Sequence, residues 1–221
     1  ALYELVDGYT REAGVRTLER QIGSICRKAA KRIVEGDAKR VLVTKQNLSD
    51  LIGPAKFRRS DSESADQVGV VNGLAWTSVG GEMLEIECAV MTGSGKLKLT
   101  GSLGDVMRES ADIAVSYVRT IAEKYHIDPD FYKTKDLHIH APEGAVPKDG
   151  PSAGVTMVTA VVSALSGIPV RGDVAMTGEI SLRGRVMPIG GLREKSMAAY
   201  RVNRKIVIIP KENEPDLYEV D

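Results

Sequence analysis

The chain has 221 residues, 43% of them hydrophobic, which is room for one sizeable domain and a smaller companion. Thirty basic and thirty acidic residues cancel, so no global field draws the chain to nucleic acid or anionic lipid. Its two cysteines, Cys26 and Cys88, lie far apart without metal-ligand spacing, and no apolar run reaches the roughly 18 residues of a membrane span. We therefore expect a reduced, cytoplasmic setting, no membrane partner and no metal centre.

The opening Ala1-Leu2-Tyr3-Glu4 is neither a signal peptide nor an initiator methionine and reads as the cut edge of a longer chain. Thr10 is placed to N-cap a helix from about Arg11 to Glu35, ending at Gly36. Its apolar stripe is Val15, Leu18, Ile22, Ile25, Ala29 and Ile33. Val41 to Val43 reads as a short strand, and Thr44 as the cap of a small helix through Leu48 to Ile52. Gly53-Pro54 stops regular structure. The polar, serine-rich stretch from Phe57 to Asp66 has linker composition. The expected division is a small helical domain over 1–53, a linker over 54–66 and a second domain over 67–221.

In the second domain, Gly69 to Ala75 and Leu84 to Met91 read as strands joined by a turn around Gly80-Gly81. A further strand is expected over Lys96 to Thr100, a helix over Gly104 to Tyr125, and a strand over Leu137 to His140. Ser152 to Leu165 is a helix of almost wholly small or apolar residues, which implies burial on every side. Val174 to Glu179 and Arg185 to Ile189 can pair as a hairpin across Arg183-Gly184. Leu192 to Val202 is helical, and Ile206 to Ile209 is expected as a buried strand. The fold class is α+β: a helical subdomain followed by a domain with mixed sheets.

The densest chemical signal is the loop Pro142 to Gly154, rich in proline and glycine, which delivers Ser152 to a helix N-terminus. Unpaired N–H groups and the positive end of the helix dipole meet there, and both stabilise an oxyanion formed by hydroxyl attack on an amide. Plain N-capping is the alternative job for such a serine. Gly150-Pro151-Ser152-Ala153-Gly154 also fits G-x-S-x-G, but an α/β-hydrolase needs a histidine after its serine. The last histidine here is His140, which excludes that triad.

A serine nucleophile needs a base. His138 and His140 share one face of a strand, and one of them could serve with Asp149. A metal would need a third ligand that the spacing does not offer. Packing and hydrogen bonding beside the loop suit both histidines equally. His126 is the remaining histidine. Three lysines follow Ser152: Lys195, Lys205 and Lys211. Lys195 sits one turn into a helix with inward-facing Leu192, Met197, Ala198 and Ala199. To act as a base it must fall from about 10.4 to roughly 7–8, a change of about 4 kcal/mol that an apolar pocket can impose. Surface exposure is the ordinary fate of a lysine.

The stretch PKDGPSAG (Pro147 to Gly154) together with GGLREK (Gly190 to Lys195) resembles the Lon proteases. MTGEISLRGRVMPIGG (Met176 to Gly191), GLAWTSVGG (Gly73 to Gly81) and TGSLGDVMRES (Thr100 to Ser110) extend the likeness over the second domain. YTREAGVRTLER (Tyr9 to Arg20) is similar to the helical lid of that family's AAA+ module. The resemblance implies a serine–lysine dyad of Ser152 and Lys195, with Thr177 orienting the lysine and Arg16 sensing nucleotide in the whole enzyme. Backbone amides near Ser152 and Ala153 are the expected oxyanion hole. Asp149, three residues before the serine, would hold Lys195 charged if it came close, so it is expected either to point away from Lys195 or to form part of an inactive arrangement.

No G-x-x-x-x-G-K-[ST] loop is present, because Leu97 follows Gly93-Ser94-Gly95-Lys96. ATP and magnesium are therefore expected only in the full-length enzyme, and no cofactor in this chain. The resemblance implies a homohexamer that degrades unfolded, damaged and short-lived regulatory proteins. It also implies terminal helices beyond Asp221. A different reading rests on the basic side chains Arg11, Arg16, Arg20, Arg27, Lys28, Lys31 and Arg32, which would let the first long helix contact DNA phosphates or serve assembly.

Overall fold

A computed structural model describes residues 1–10, 12, 14–57, 65–77 and 80–220. The chain divides into two compact units, Ala1–Asp61 and Ser62–Asp221. The first holds helices α1 (Leu2–Tyr9), α2 (Arg16–Val34) and α3 (Leu48–Ile52). Its core is Leu5, Tyr9, Ile25, Leu48 and Leu51. Of the expected stripe, Ile25 is buried and Leu18 packs beside it, whereas Val15, Ile22 and Ile33 are exposed.

Several expectations in this unit are corrected. Thr10 ends α1 instead of starting α2: its hydroxyl donates to the Val6 carbonyl at 2.8 Å, one of the last helical acceptors left free. The cap of α2 is Glu12, whose carboxylate accepts from the amides of Thr17 at 2.8 Å and Leu18 at 2.9 Å. These N–H donors hold the Glu12 carboxyl below its usual range. The expected helix start at Arg11 lies outside the described residues. Val41 to Val43 join no ladder. Instead, the Asn47 side chain accepts from Thr44 N–H and donates to the Leu42 carbonyl, both at 2.8 Å, turning the chain into α3. Residues 58–64, the middle of the expected linker, lie outside the described residues.

The second unit is built on a six-stranded mixed sheet of order β3-β4-β2-β1-β5-β8. The strands are β1 (Val70–Thr77), β2 (Gly80–Thr92), β3 (Leu97–Thr100), β4 (Lys135–His140), β5 (Val174–Met176) and β8 (Ile206–Ile208). β6 (Glu179–Ile180) and β7 (Val186–Met187) form a separate hairpin. The helices are α4 (Asp105–Ile121), α5 (Phe131–Thr134), α6 (Gly154–Ser166) and α7 (Leu192–Arg201). Gly80 and Gly81, expected as a turn, belong to β2 and pair with Thr77 and Trp76. Val174–Met176 joins the main sheet parallel to β1 and β8, so the expected hairpin shrinks to β6 and β7. β8 is an edge strand with Ile206 and Ile208 exposed, not a buried one.

β1 alternates between two helical layers, as the strand period of two requires. A Cβ on its Gly73 would press on Thr156 of α6, while its Leu74 clusters with Ala199 of α7. α6 and α4 therefore cover one face of the sheet, burying Val71, Ile86, Met107, Ala114, Ile139, Met157 and Val161, and α7 covers the other. α6 buries Thr156, Met157, Ala160, Val161 and Ser163 between sheet and α4, whereas Val155, Val158, Thr159 and Val162 are half-buried, so the burial expected on every side is met only in part. No helix among the described residues is long and apolar enough to cross a membrane.

Candidate active site

Pro151–Ala153 make a single 3-10 turn that runs into α6. Gly150 before it takes φ +134°, a conformation that favours glycine and sharpens the entry. Ser152 caps neither turn. Its carbonyl accepts from Gly178 N–H at 2.8 Å and from the Thr177 hydroxyl at 3.3 Å, and Val155 N–H donates to the Gly178 carbonyl at 3.1 Å. These bonds arise where the chain leaves the sheet. β5 pairs with β1 only at Asn72 and Gly73, and Thr177 and Gly178 then bend onto the Ser152 turn.

Lys195 comes from the opposite layer. α7 starts at Gly191, at φ +68°, and the Lys195 amide donates to the Gly191 carbonyl at 3.0 Å in the first turn. Two close approaches seat that turn. A Cβ on Gly81 would overlap the Glu194 carbonyl, and one on Gly191 would lie 2.9 Å from Cγ of Trp76. Lys195 Nζ is 3.0 Å from Ser152 Oγ and 3.2 Å from Thr177 Oγ1.

Lys195 is 3% and Thr177 1% exposed, and Ser152 is half-buried. Burial disfavours the ammonium and brings Lys195 down from its ordinary 10.5 to about 8. The hydrogens can be assigned by elimination. Thr177 directs its one proton to the Ser152 carbonyl, so it can only accept from Lys195. The charged lysine donates to both hydroxyls; once neutral, with one N–H kept on Thr177, it has a lone pair free to accept from Ser152 Oγ. The arrangement can take a proton from the serine and return it.

Asp149 faces elsewhere. Its carboxylate accepts from Met107 N–H and Gly150 N–H, both at 3.0 Å, at the start of α4, and it fills the space beside Gly104. His138 Nε2 and His140 Nδ1 both bond Thr100 Oγ1, at 2.8 and 2.7 Å, with ring centroids 6.4 Å apart. The structure thus gathers the two histidines on Thr100, and gathers Lys195 and Thr177 on Ser152. Ala153 is buried beneath the serine turn, and Arg16 is the exposed first residue of α2 in the other unit. Among the described residues no group of three or more His, Cys, Asp or Glu side chains is arranged to hold a metal. Cys88 is buried, which pushes its thiol up to about 12 and leaves it unreactive.

Sequence reasoning missed Gly178, Gly81 and Trp76. The last two had a signal, a Gly-Gly pair opposite the chain's single tryptophan, but it reads as a turn. Gly178 acts through its amide, which no side-chain pattern records.

Residues 42–221 match the family model of the Lon protease C-terminal proteolytic domain, and residues 1–41 that of the Lon protease AAA+ ATPase lid domain. The chain is 60% identical over 220 residues to the Lon protease of Bacillus thuringiensis (strain Al Hakam). It is 59% identical over 220 residues to Lon protease 1 of Bacillus subtilis (strain 168), and 57% over 220 to the Lon protease of Brevibacillus choshinensis. Each alignment covers 100% of this chain and 28% of the relative, so the chain spans a little over a quarter of those proteins. With matches that run from the first residue to the last, the chain belongs to the Lon protease family, carrying lid sequence ahead of a proteolytic domain.

Proposed function

We propose that this chain is a serine endopeptidase unit in which Ser152 is the nucleophile and Lys195 its general base. The observation that carries the proposal is the buried lysine whose nitrogen touches the serine hydroxyl and the Thr177 hydroxyl together. Neutral Lys195 accepts the Ser152 proton as Oγ attacks the substrate carbonyl. The amides of Ser152 and Ala153, in the first turn before α6, lack intrahelical acceptors and face the developing oxyanion. Lys195 then protonates the leaving amine, and the Ser152 ester remains. Water attacks that ester, its proton going to Lys195, and Ser152 Oγ recovers the proton as the acid leaves. Thr177 keeps one lysine N–H occupied, which holds Nζ beside Ser152 Oγ whether the lysine is neutral or has taken the proton.

As parts of this proposal, the physiological substrates are unfolded, damaged or short-lived proteins. A homohexamer driven by ATP and magnesium on a neighbouring module delivers them. The match of residues 1–41 to an AAA+ lid supports that setting, with Arg16 as its nucleotide contact.

The test is cleavage of a fluorogenic peptide by the parent chain, Ser152→Ala and Lys195→Gln from pH 6 to 10. Below the Lys195 pKa the base is protonated, so activity is expected to climb as pH rises through about 8 and then level off. Both variants should be inactive. Undiminished cleavage by Ser152→Ala would overturn the assignment.

A further inference from the structure

The segment 143–147, which precedes the serine turn, is exposed throughout, and Val146 is 45% exposed. Apolar burial therefore does little to hold it. It nevertheless follows a defined path, with Glu143 at φ +61° and Val146 N–H returning to the Glu143 carbonyl at 2.9 Å. Lys148 lies at the centre of that path. Its Nζ donates to the carbonyls of Glu143 at 2.8 Å, Val146 at 3.1 Å and Gly101 at 3.3 Å. An ammonium has three hydrogens, and three carbonyls take them.

The backbone of Lys148 is fastened to the same neighbour. Lys148 N–H donates to the Ser102 carbonyl at 3.0 Å, and the Lys148 carbonyl accepts from Gly104 N–H at 2.7 Å. Desolvation lowers the Lys148 pKa and the Glu143 charge opposes that. Asp149 caps α4 immediately afterwards, and Ser152 stands four residues beyond Lys148.

We propose that Lys148 is a positioning residue for the nucleophile, an internal cation that closes the 143–148 loop onto Gly101 and so sets where Ser152 meets Lys195. The effect on catalysis rests on the serine–lysine reading above; the clamp itself does not. Lys148 touches neither substrate nor reacting atoms. Its removal should act through geometry, because three carbonyls would be left pointing at one another with no donor among them.

The experiment is Lys148→Met and Lys148→Ala in the whole chain, assayed on a small fluorogenic peptide beside Ser152→Ala. We expect kcat to fall between about tenfold and a hundredfold, the range a small misplacement of a catalytic group gives, with KM changed less than about twofold. Butylammonium should restore part of the kcat of Lys148→Ala, while tetramethylammonium at equal ionic strength, which has no N–H, should not. Amide hydrogen exchange reads the clamp independently of turnover. The amides of Val146, Lys148 and Gly104 should exchange faster in both variants. If Lys148→Met does not fold, Lys148→Arg decides: its branched head cannot meet three carbonyls at one point, so a partial loss of kcat and faster exchange are expected. Parental kcat in Lys148→Met, in a protein that Ser152→Ala silences, overturns the proposal, as does unchanged exchange at these amides. A parent that cleaves nothing counts against the serine–lysine reading, and the exchange measurement still judges the clamp.

Discussion

Thr177 matters through what it lacks. With its proton committed to the Ser152 carbonyl, it can hold Lys195 only as an acceptor, and this takes up one of the lysine N–H groups. Thr177→Val keeps the shape and removes the acceptor, so kcat should drop about tenfold or more while KM stays near parental, and Thr177→Ser should retain most activity. Steady-state kinetics of the two variants make the check. Lys195 also bears on stability. Its folded pKa of about 8 lies below the unfolded 10.5, so the unfolded chain binds more protons between those values and stability rises with pH across that window. Below pH 8 the full penalty applies, about 3 kcal/mol for a shift of this size. Lys195→Met should therefore be more stable than the parent at pH 7, with the gap narrowing toward pH 10, as urea unfolding at the two pH values would show. That Ser152 and Lys195 meet was legible in the sequence because each sits in a long motif. The contact of Thr177 with both was legible only as a resemblance, since the carbonyl that takes its proton lies 25 residues away. Likewise, nothing in the spacing of Asp149 reveals that its partner is an amide of α4.

Elements were legible where their period was strong and lost where their partners were remote. Leu84, Ile86 and Cys88 alternate into the core as β2 predicts, and α6 leaves no residue fully exposed, though only part of it is buried. β5 was assigned to a local hairpin because turn residues follow it closely, yet its ladder partners are β1 and β8, far off in sequence. α1 has only eight residues, too few for a convincing stripe, and Thr10 was assigned to the wrong end of a helix as a result. The glycine pair in β2 has the sharpest consequence at this scale. Gly81→Ala inserts a methyl group into the Glu194 carbonyl and must push the first turn of α7 outward. Overpacking of this kind destabilises by about 1–3 kcal/mol. Because Lys195 rides on that turn, kcat should fall further than the melting temperature suggests, whereas Gly80→Ala, with no atom of the described residues near its Cβ position, strains its own backbone at φ +121°. Thermal melts and peptide kinetics on the pair separate the two effects.

At the scale of the whole molecule, the two units have apolar clusters of very different size. Among the described residues, five buried ones make up the first cluster, and twenty make up the larger one of the second. A small core leaves little margin over conformational entropy, while a domain the size of the second unit can stand alone. Residues 62–221 produced separately should melt in one cooperative transition and retain peptide cleavage; a broad, non-cooperative melt would show that they depend on the first unit. The α+β class and the sheet-bearing second unit could be read from strand and helix periods. What could not be read is that Ser152, in the turn that enters α6, and Lys195, on α7, reach each other from layers on opposite faces of one sheet, since no local pattern encodes which face a helix will cover. On the proposed reading the Ser152–Lys195 pair is a property of tertiary structure. Neither layer alone holds both residues, so a copy still folding, or one coming apart under heat, is expected to be chemically silent toward its neighbours, with cutting power switching on only when the last layer docks.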